Sequence, residues 1–344
     1  MQKLSYKTSG VDIDIANATK KEMARSLDNN DARVLNKTGA FATLFDGSFP
    51  EYKEPVLVFK TEEPGSKQKI ALENNSLETI CYDLINHLIN DAIVMGARPL
   101  SIQDCIVCGK MEKKVILKMV SSFSKACKEN GCTLTGGETS EQPSVIKPGT
   151  YVLTASIVRE EEKAKIIDGS KIKKGDIVLA LASSGIHTNG FSLVRQIMEQ
   201  NPKILKEKID GKTFIQNILT PHFGYYNSLK DLFRMNEIVG LAHITGGGIK
   251  ENLDRILPQN LNADIDTSKI KILPIFKILK KFGNLEDNDM LRTFNMGVGM
   301  TAVIKEDFAD EIKKHLKKFG VDAYEIGKIT KGNKKVNLKG KLNW

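Results

Sequence analysis

The sequence predicts a two-domain mixed α/β protein, and three observations carry that prediction. Strand-like runs recur with helical patterns between them, the 344 residues exceed the ~100–200 that one core usually holds, and a charged stretch without apolar periodicity, 159–165, separates two such series. The boundary is therefore expected at its end, giving domains 1–165 and 166–344.

In the first series, the runs from Pro55 to Lys60, Ser101 to Val107, Cys132 to Thr135 and Thr150 to Val158 read as strands. A helix is expected from Leu77 to Met95, because Asn75 with Glu78 three residues on resembles a capping box and Gly96 followed by Pro99 ends the pattern. Its apolar face is Leu77, Ile80, Cys81, Leu84, Ile85, Leu88 and Ala92, and its other side carries Asp83, Asn86, Asn90 and Asp91. Asp and Asn are poor helix formers, so a merely solvated face would more naturally use Glu and Lys. Ligation explains the stripe, with a plain exposed face as the alternative. The second series opens with a strand from Ile177 to Ala182 and a helix from Phe191 to Glu199. A Gly-rich turn at Gly246 to Gly248, a strand from Met300 to Ile304, an amphipathic helix around Asp307 to Lys318 and a closing hairpin or tail across Lys331 to Lys341 follow.

Hydrophobic residues at 41% and charged residues at 27% exclude global disorder. A net charge of +9 favours anionic partners, which include nucleotides and nucleic acids. With aromatics at 6% and no basic run interleaved with Phe or Tyr, the stacking groove of a single-strand binder is missing, and no nucleic-acid partner is expected. Five cysteines without a secretory signal argue for a reducing cytoplasm. Cys105 and Cys108 form a C-x-x-C spacing, but no second pair follows and a strand would point them to opposite faces. No apolar run approaches the ~20 residues of a membrane span, so no membrane partner is expected.

Four polar constellations remain. Thr61-Glu62-Glu63-Pro64-Gly65-Ser66-Lys67 follows a strand directly, where ligands commonly bind in α/β folds; its carboxylates suit metal and its Lys suits phosphate, although an exposed acidic turn explains it equally well. Gly136-Gly137-Glu138-Thr139 offers flexibility and a further carboxylate, or a tight turn. Glu62, Asp91 and Glu138 each end an element of one domain and resemble a shared divalent-metal site, suited to Mg²⁺ bridging substrate phosphates. Ser183-Ser184-Gly185-Ile186-His187-Thr188-Asn189-Gly190 joins a strand to a helix, so unpaired amide N–H groups and the positive dipole end suit a phosphate. It is not a Walker A loop, because no Gly-Lys-Ser/Thr closes it. His187 suits phosphate ligation or proton transfer, with ordinary loop hydrogen bonding as the alternative. His243-Ile244-Thr245-Gly246-Gly247-Gly248 precedes another helical pattern and repeats the same physics; Thr293 to Met300 offers small residues that suit the lining of the same cleft, although taken alone it reads first as a glycine-containing strand or turn.

Together these runs resemble the phosphoribosylformylglycinamidine cyclo-ligase family, also called aminoimidazole ribonucleotide synthetases. The resemblance spans nearly the whole chain. It rests on Leu4 to Lys7 with Gly10 to Asp14, Asn90-Asp91 with Met95 to Leu100, Gly136 to Thr139, Ile166 to Gly169, Ser183 to Gly190, His243 to Gly248 and Arg292 to Met300. It implies an N-terminal domain whose sheet pairs with that of a second subunit into a barrel, a C-terminal α/β sandwich, and a homodimer. It also implies the reaction, in which ATP phosphorylates the formamide oxygen of formylglycinamidine ribonucleotide, the imidazole ring closes, and ADP and phosphate leave.

On this reading His187, Asp91 and Lys67 serve catalysis, and Glu62, Asp91 and Glu138 hold Mg²⁺. Gly65, Ser66, Asn90, Gly136, Gly137, Ser184, Gly185, Asn189, Gly190, Thr245, Gly246, Gly247 and Gly248 bind ATP or other phosphates. The chain departs from the family where Thr61 to Lys67 replaces the usual Thr-Asp-Gly-Val-Gly-Thr-Lys, where Gly39-Ala40-Phe41-Ala42 replaces Gly-Gly-Phe-Gly, and after Glu138, where Ser140 to Ser144 replaces Ala-Glu-Met-Pro-Gly. One methylene displaces a carboxylate oxygen by ~1 Å, which matters at the ~2.1 Å ligand distances of Mg²⁺. The rival readings are a related enzyme with another phosphoryl acceptor, such as selenophosphate synthetase or thiamine-monophosphate kinase, and a non-catalytic nucleotide-binding protein.

Overall fold

A computed structural model describes residues 13–27, 31–36 and 40–344. The resemblance motifs before residue 13 and Gly39 lie outside the described residues. The chain divides into two compact units: one comprises the N-terminal residues through 164 apart from 65–71 and 93–96, and the other comprises those two segments and residues 165–344.

The first unit contains α1 (Ile13–Ser26), β1 (Pro55–Glu62), α3 (Leu77–Ile93), β2 (Arg98–Cys108), α4 (Lys113–Glu129), β3 (Thr133–Glu141) and β4 (Tyr151–Glu162), while α2 (Lys67–Glu73) runs across the division of the chain. Its four strands are ordered β1-β4-β2-β3, with β2 and β3 parallel and the other pairs antiparallel. Along β2, Ile102 and Ile106 are buried while Ser101, Gln103 and Cys105 on the opposite face are not, the period-2 signature of a sheet covered on one side. All five cysteines are free thiols.

Two alternatives that the sequence leaves open fall here, and one expectation changes. The helix α3 is buried nearly all round: Asp83, Asn86, His87 and Asn90 are at most 8% exposed, so its polar stripe is not a solvated face. Asn86 Oδ1 accepts from Asn130 Nδ2 at 3.0 Å, one of the internal partners that make such burial tolerable. Gly136 to Thr139 is not a turn but the middle of β3. The glycine is needed there for close approach, since a Cβ on Gly137 would lie 1.9 Å from the Asp104 carbonyl oxygen. The charge cluster at 159–165, expected to lie between domains, is in its first half the end of β4. Arg159 and Glu160 are fully buried, Arg159 donating to the Ile89 carbonyl at 3.2 Å and Glu160 pairing with Arg98 and Arg33. Pairing offsets the desolvation that would otherwise keep such charges outside.

The second unit runs β5 (Ile177–Ala182), α5 (Phe191–Gln200), β6 (Lys208–Ile209), β7 (Lys212–Thr213), α6 (Phe214–Ile218), α7 (Tyr226–Leu229), β8 (Ile238–His243), α8 (Gly248–Asp254), β9 (Leu261–Asp266), α9 (Pro274–Gly283), α10 (Asp287–Thr293), β10 (Val298–Ile304), α11 (Ala309–Lys318), β11 (Ala323–Lys331) and β12 (Lys335–Lys339). Six strands form a mixed sheet ordered β12-β9-β11-β5-β10-β8. β8 and β10 are buried along their full length, which explains their continuous apolar sequences. The expected closing hairpin does not form. β11 already has β5 and β9 on its two edges, so β12 pairs in parallel with β9, secured where Asn262 Oδ1 accepts the amides of Asn333 and Lys335, each at 2.9 Å.

Candidate functional site

Candidate residues occur in both units. In the first, alternation along β1 puts Lys60 and Glu62 on one face, and the Lys60 ammonium lies 2.9 Å from both Glu62 Oε2 and Asp91 Oδ2. Burial pulls the Lys60 pKa down, but hydrogen bonds and charge from Asp91 and Glu62 outweigh it and hold the group above its ordinary value. His87 Nε2 stands 3.8 Å from the same Asp91 oxygen, and Asn90 beside it is fully buried.

Glu138 does not join this pair. β1 and β3 are the two edges of the sheet, and the register row from Glu62 passes through Ala155 and Asp104 to Gly137, three strand spacings or about 14 Å away. The expected three-carboxylate centre is therefore not assembled within this chain. The divalent cation fits part of it: Glu62 and Asp91 offer hard oxygen donors that one cation, the lysine ammonium, already bridges. Exposed Glu138 instead lines a cleft of about 1240 Å³ with Lys20, Phe41, Gln103, Gly136 and Ser156.

Asp104, which sequence reasoning passed over, lies under that cleft. Its place in β2 puts its side chain with Ile102 and Ile106 on the helix-covered face, and burial pushes its carboxyl up to about 7. Burial, and after it the Asp104 charge, also raises the Cys81 thiol. An isolated aspartate in a strand gives no sequence signal of this.

In the second unit, β5 delivers the loop Ser183 to Gly190 to the start of α5. Asn295 holds that loop from beneath: its Nδ2 donates to the carbonyls of Gly185 at 3.0 Å and Ile186 at 3.1 Å, and its Oδ1 accepts the Gly297 amide at 2.8 Å and the Ser183 hydroxyl at 3.1 Å. His187 is 2% exposed and sits at φ 65°, a left-handed conformation unusual for a side-chain-bearing residue. Its Nε2 accepts the Ser184 amide at 3.2 Å, which leaves Nδ1 as the protonated nitrogen of the neutral ring. Gly190 caps α5 at φ 83° without a side-chain acceptor, so the first amides of the helix keep their donor capacity.

The second glycine loop follows the same plan. Asn252 Nδ2 donates to the carbonyls of Gly246 at 3.1 Å and Gly248 at 2.8 Å. Gly248 sits at φ 62°, and a Cβ there would lie 1.8 Å from the Leu291 carbonyl oxygen. The loops are neighbours, the Asn189 amide lying 3.7 Å from where a Gly246 Cβ would stand. Thus Ser184, Gly185, His187, Asn189 and Gly190 meet Thr245 to Gly248 in one region. Asn252 and His222 carry no sequence signal of their place in this region, because each is one polar residue in no recognisable motif.

Gly65 to Lys67 belong to this unit. Gly65 has φ 65°, and Ser66 accepts from Arg195 through its carbonyl at 3.1 Å. Lys67 is fully buried and donates from Nζ to the Thr220 carbonyl at 2.8 Å instead of projecting outward toward a phosphate. In this arrangement it holds the segment leading to His222.

Two families of domain match the chain: AIR synthase related protein, N-terminal domain, over residues 48–158, and AIR synthase related protein, C-terminal domain, over 173–339. A phosphoribosylformylglycinamidine cyclo-ligase of Carboxydothermus hydrogenoformans is 40% identical over 343 residues, covering 98% of this chain and 99% of that protein. One of Prochlorococcus marinus is 38% identical, covering 96% of each. Among solved structures, E. coli HypE aligns with a TM-score of 0.68 at 14% identity, covering 94% of this chain and 93% of HypE. A hydrogenase maturation protein HypE in complex with ATP aligns at 0.66 and 16%, covering 92% and 89%. At such identities these two structures speak for the fold alone.

Proposed function

This chain belongs to the phosphoribosylformylglycinamidine cyclo-ligase family, and from that membership we infer its reaction. It is a ligase of purine biosynthesis that uses ATP to close the imidazole ring of 5-aminoimidazole ribonucleotide from formylglycinamidine ribonucleotide, releasing ADP and phosphate. The observation that carries this is the 40% identity to a cyclo-ligase along 99% of that protein's length. Features of each unit are consistent with it. The glycine loop ahead of α5, whose cap leaves the first helix amides open, suits a phosphate group, and in the other unit a bridged carboxylate pair suits the cation that accompanies a nucleotide.

ATP is the proposed nucleotide, supported by the fold shared with a HypE solved with ATP. Glu62 and Asp91 are the proposed holders of Mg²⁺, which when bound stabilises charge developing on the transferred phosphoryl group. Ser184, Gly185, Asn189 and Gly190 are proposed to bind phosphate through amides and small polar side chains, with Thr245 to Gly248 lining the same region, the Gly247 and Gly248 amides being given to the Arg292 and Thr245 carbonyls. His187 is the proposed proton donor or phosphate ligand among them. Gly137 is assigned to close strand packing, Gly136, at φ 141°, to the lining of the cleft beside Glu138, and Lys67 to positioning the Thr220 carbonyl.

A homodimer is also proposed. β1 is a sheet edge whose Leu57 and Phe59 share one face and are 46% and 69% exposed, an apolar surface that a second copy of the sheet would cover. No helix among the described residues is long and apolar enough to cross a membrane, and a cytoplasmic location is proposed for this biosynthetic step. Turnover with formylglycinamidine ribonucleotide, compared with selenide and thiamine monophosphate as alternative acceptors, tests the assignment. Cyclisation with the first alone is expected, and turnover with either of the others instead would overturn it.

A further inference from the structure

Three histidines from separate parts of the second unit converge in its interior. His187 comes from the loop after β5, His222 from the segment between α6 and α7, and His243 from the end of β8. They are 2%, 1% and 5% exposed, and a ring nitrogen from each lies within 4.8 Å of the other two. His222 Nε2 and His243 Nε2 are 3.0 Å apart, and the rings of His187 and His222 stack with centroids 3.9 Å apart.

The surrounding chain is shaped to this cluster. His187 adopts its left-handed backbone, and a Cβ on Gly299 would lie 2.6 Å from His187 Cε1, so a glycine is needed opposite the ring. Thr188 Oγ1 stands 3.4 Å from His222 Nδ1, on the side of the ring away from His243, where an outer hydrogen-bond partner orients a ligating imidazole. A four-coordinate Zn²⁺ with nitrogens at ~2.0–2.1 Å holds them about 3.3 Å apart. The His222–His243 pair is within a few tenths of an ångström of that spacing. Three imidazoles are also a donor set that discriminates: nitrogen ligands suit Zn²⁺, Co²⁺, Ni²⁺ and Cu²⁺, whereas Mg²⁺ prefers oxygen.

We propose that His187, His222 and His243 form a binding site for a first-row transition-metal cation, with Zn²⁺ the best chemical match, and that an ion bound there withdraws His187 from its loop and inhibits the enzyme. The His187 and His222 rings are stacked with planes 23° apart, and imidazole lone pairs lie in the ring plane, so ligation by both requires His187 to turn out of the stack and give up the Ser184 amide, and the ring can no longer serve as it does in the metal-free loop. Only this inhibitory half rests on the proposed function; the binding half rests on the cluster alone.

The test uses full-length protein stripped with a chelator and titrated with Co²⁺, followed by visible absorption and then by Zn²⁺ competition calorimetry. The expected result is one ion per chain with the intense bands of a tetrahedral Co²⁺ centre, which Zn²⁺ abolishes. His222→Gln and His243→Gln, each checked for native circular dichroism, should lose at least tenfold in affinity, and His315→Gln, outside the cluster, should not. Absence of the tetrahedral bands, or equal Zn²⁺ affinity in wild type and both variants, would show a purely hydrogen-bonded imidazole cluster and overturn the proposal. Zn²⁺ inhibition should follow occupancy. Undiminished turnover at full occupancy would overturn the inhibitory half while leaving the binding half standing.

Discussion

Replacing Asn295 by leucine, which has nearly the same shape and no polar atoms, should loosen the loop that carries His187. Asn295 is 4% exposed, and its amide serves four groups: the Gly185 and Ile186 carbonyls, the Gly297 amide and the Ser183 hydroxyl. Ser183 has one proton and a second acceptor in the Gly185 carbonyl at 3.0 Å, so three bonds are lost outright. At about 1 kcal/mol for each, and more where a buried group is left unpaired, the loss is about 3 kcal/mol or greater. For a domain of this size that lowers the melting temperature by roughly 6–12 °C. Because displacement of reacting groups by about 1 Å can cost on the order of a hundredfold, kcat should fall much further than substrate affinity. Calorimetry and steady-state kinetics on Asn295→Leu check both. A melting temperature within 2 °C of wild type with unchanged kcat would refute the view that this side chain holds the loop.

Three further predictions address the first unit. Asp104 has a folded-state pKa of about 7 against 3.8 in the unfolded chain, so the folded protein binds the extra proton between those values and loses stability as pH rises through that window. Asp104→Asn should therefore raise the melting temperature at pH 8 more than at pH 5, the relief being up to about 4 kcal/mol at pH 8 and about 1.6 kcal/mol at pH 5, and equal effects at both pH values would count against the buried acid. Lys60→Met removes the ammonium between Glu62 and Asp91 and should tighten Mn²⁺ binding to the nucleotide-free protein at least tenfold, as read by electron paramagnetic resonance; unchanged affinity would mean that Lys60 does not compete for the carboxylates. Phe59→Glu places charge on the exposed face of β1 and should convert a dimer to a monomer in sedimentation velocity, whereas a persistent dimer would move the interface elsewhere.

Much of this fold can be read from the chain because its cues are local. Alternating or continuous apolar runs mark β1, β2, β5 and β10, and glycines mark the loops before α5 and α8. What could not be read is decided by distant partners. Arg159 and Glu160 look like solvent-facing charges until Arg98, Arg33 and the Ile89 carbonyl are brought to them. β12 looks like the second arm of a hairpin until β9 takes the edge of β11 that it would need. The same division runs through the candidate site: the glycines and His187 announce themselves, but Asn252 and His222 act through contacts that no spacing encodes. Glu138 shows the converse error, since three carboxylates at element ends suggested one centre while strand order separates one of them from the other two.

The central claim is the ring closure itself, and the most direct measurement is product stoichiometry in one reaction vessel. Purified protein with Mg²⁺-ATP and formylglycinamidine ribonucleotide should release ADP and form the aminoimidazole ribonucleotide one for one, with ADP release dependent on that substrate. ADP formed without the aminoimidazole product, or no turnover by a folded, ATP-binding protein, would contradict the account.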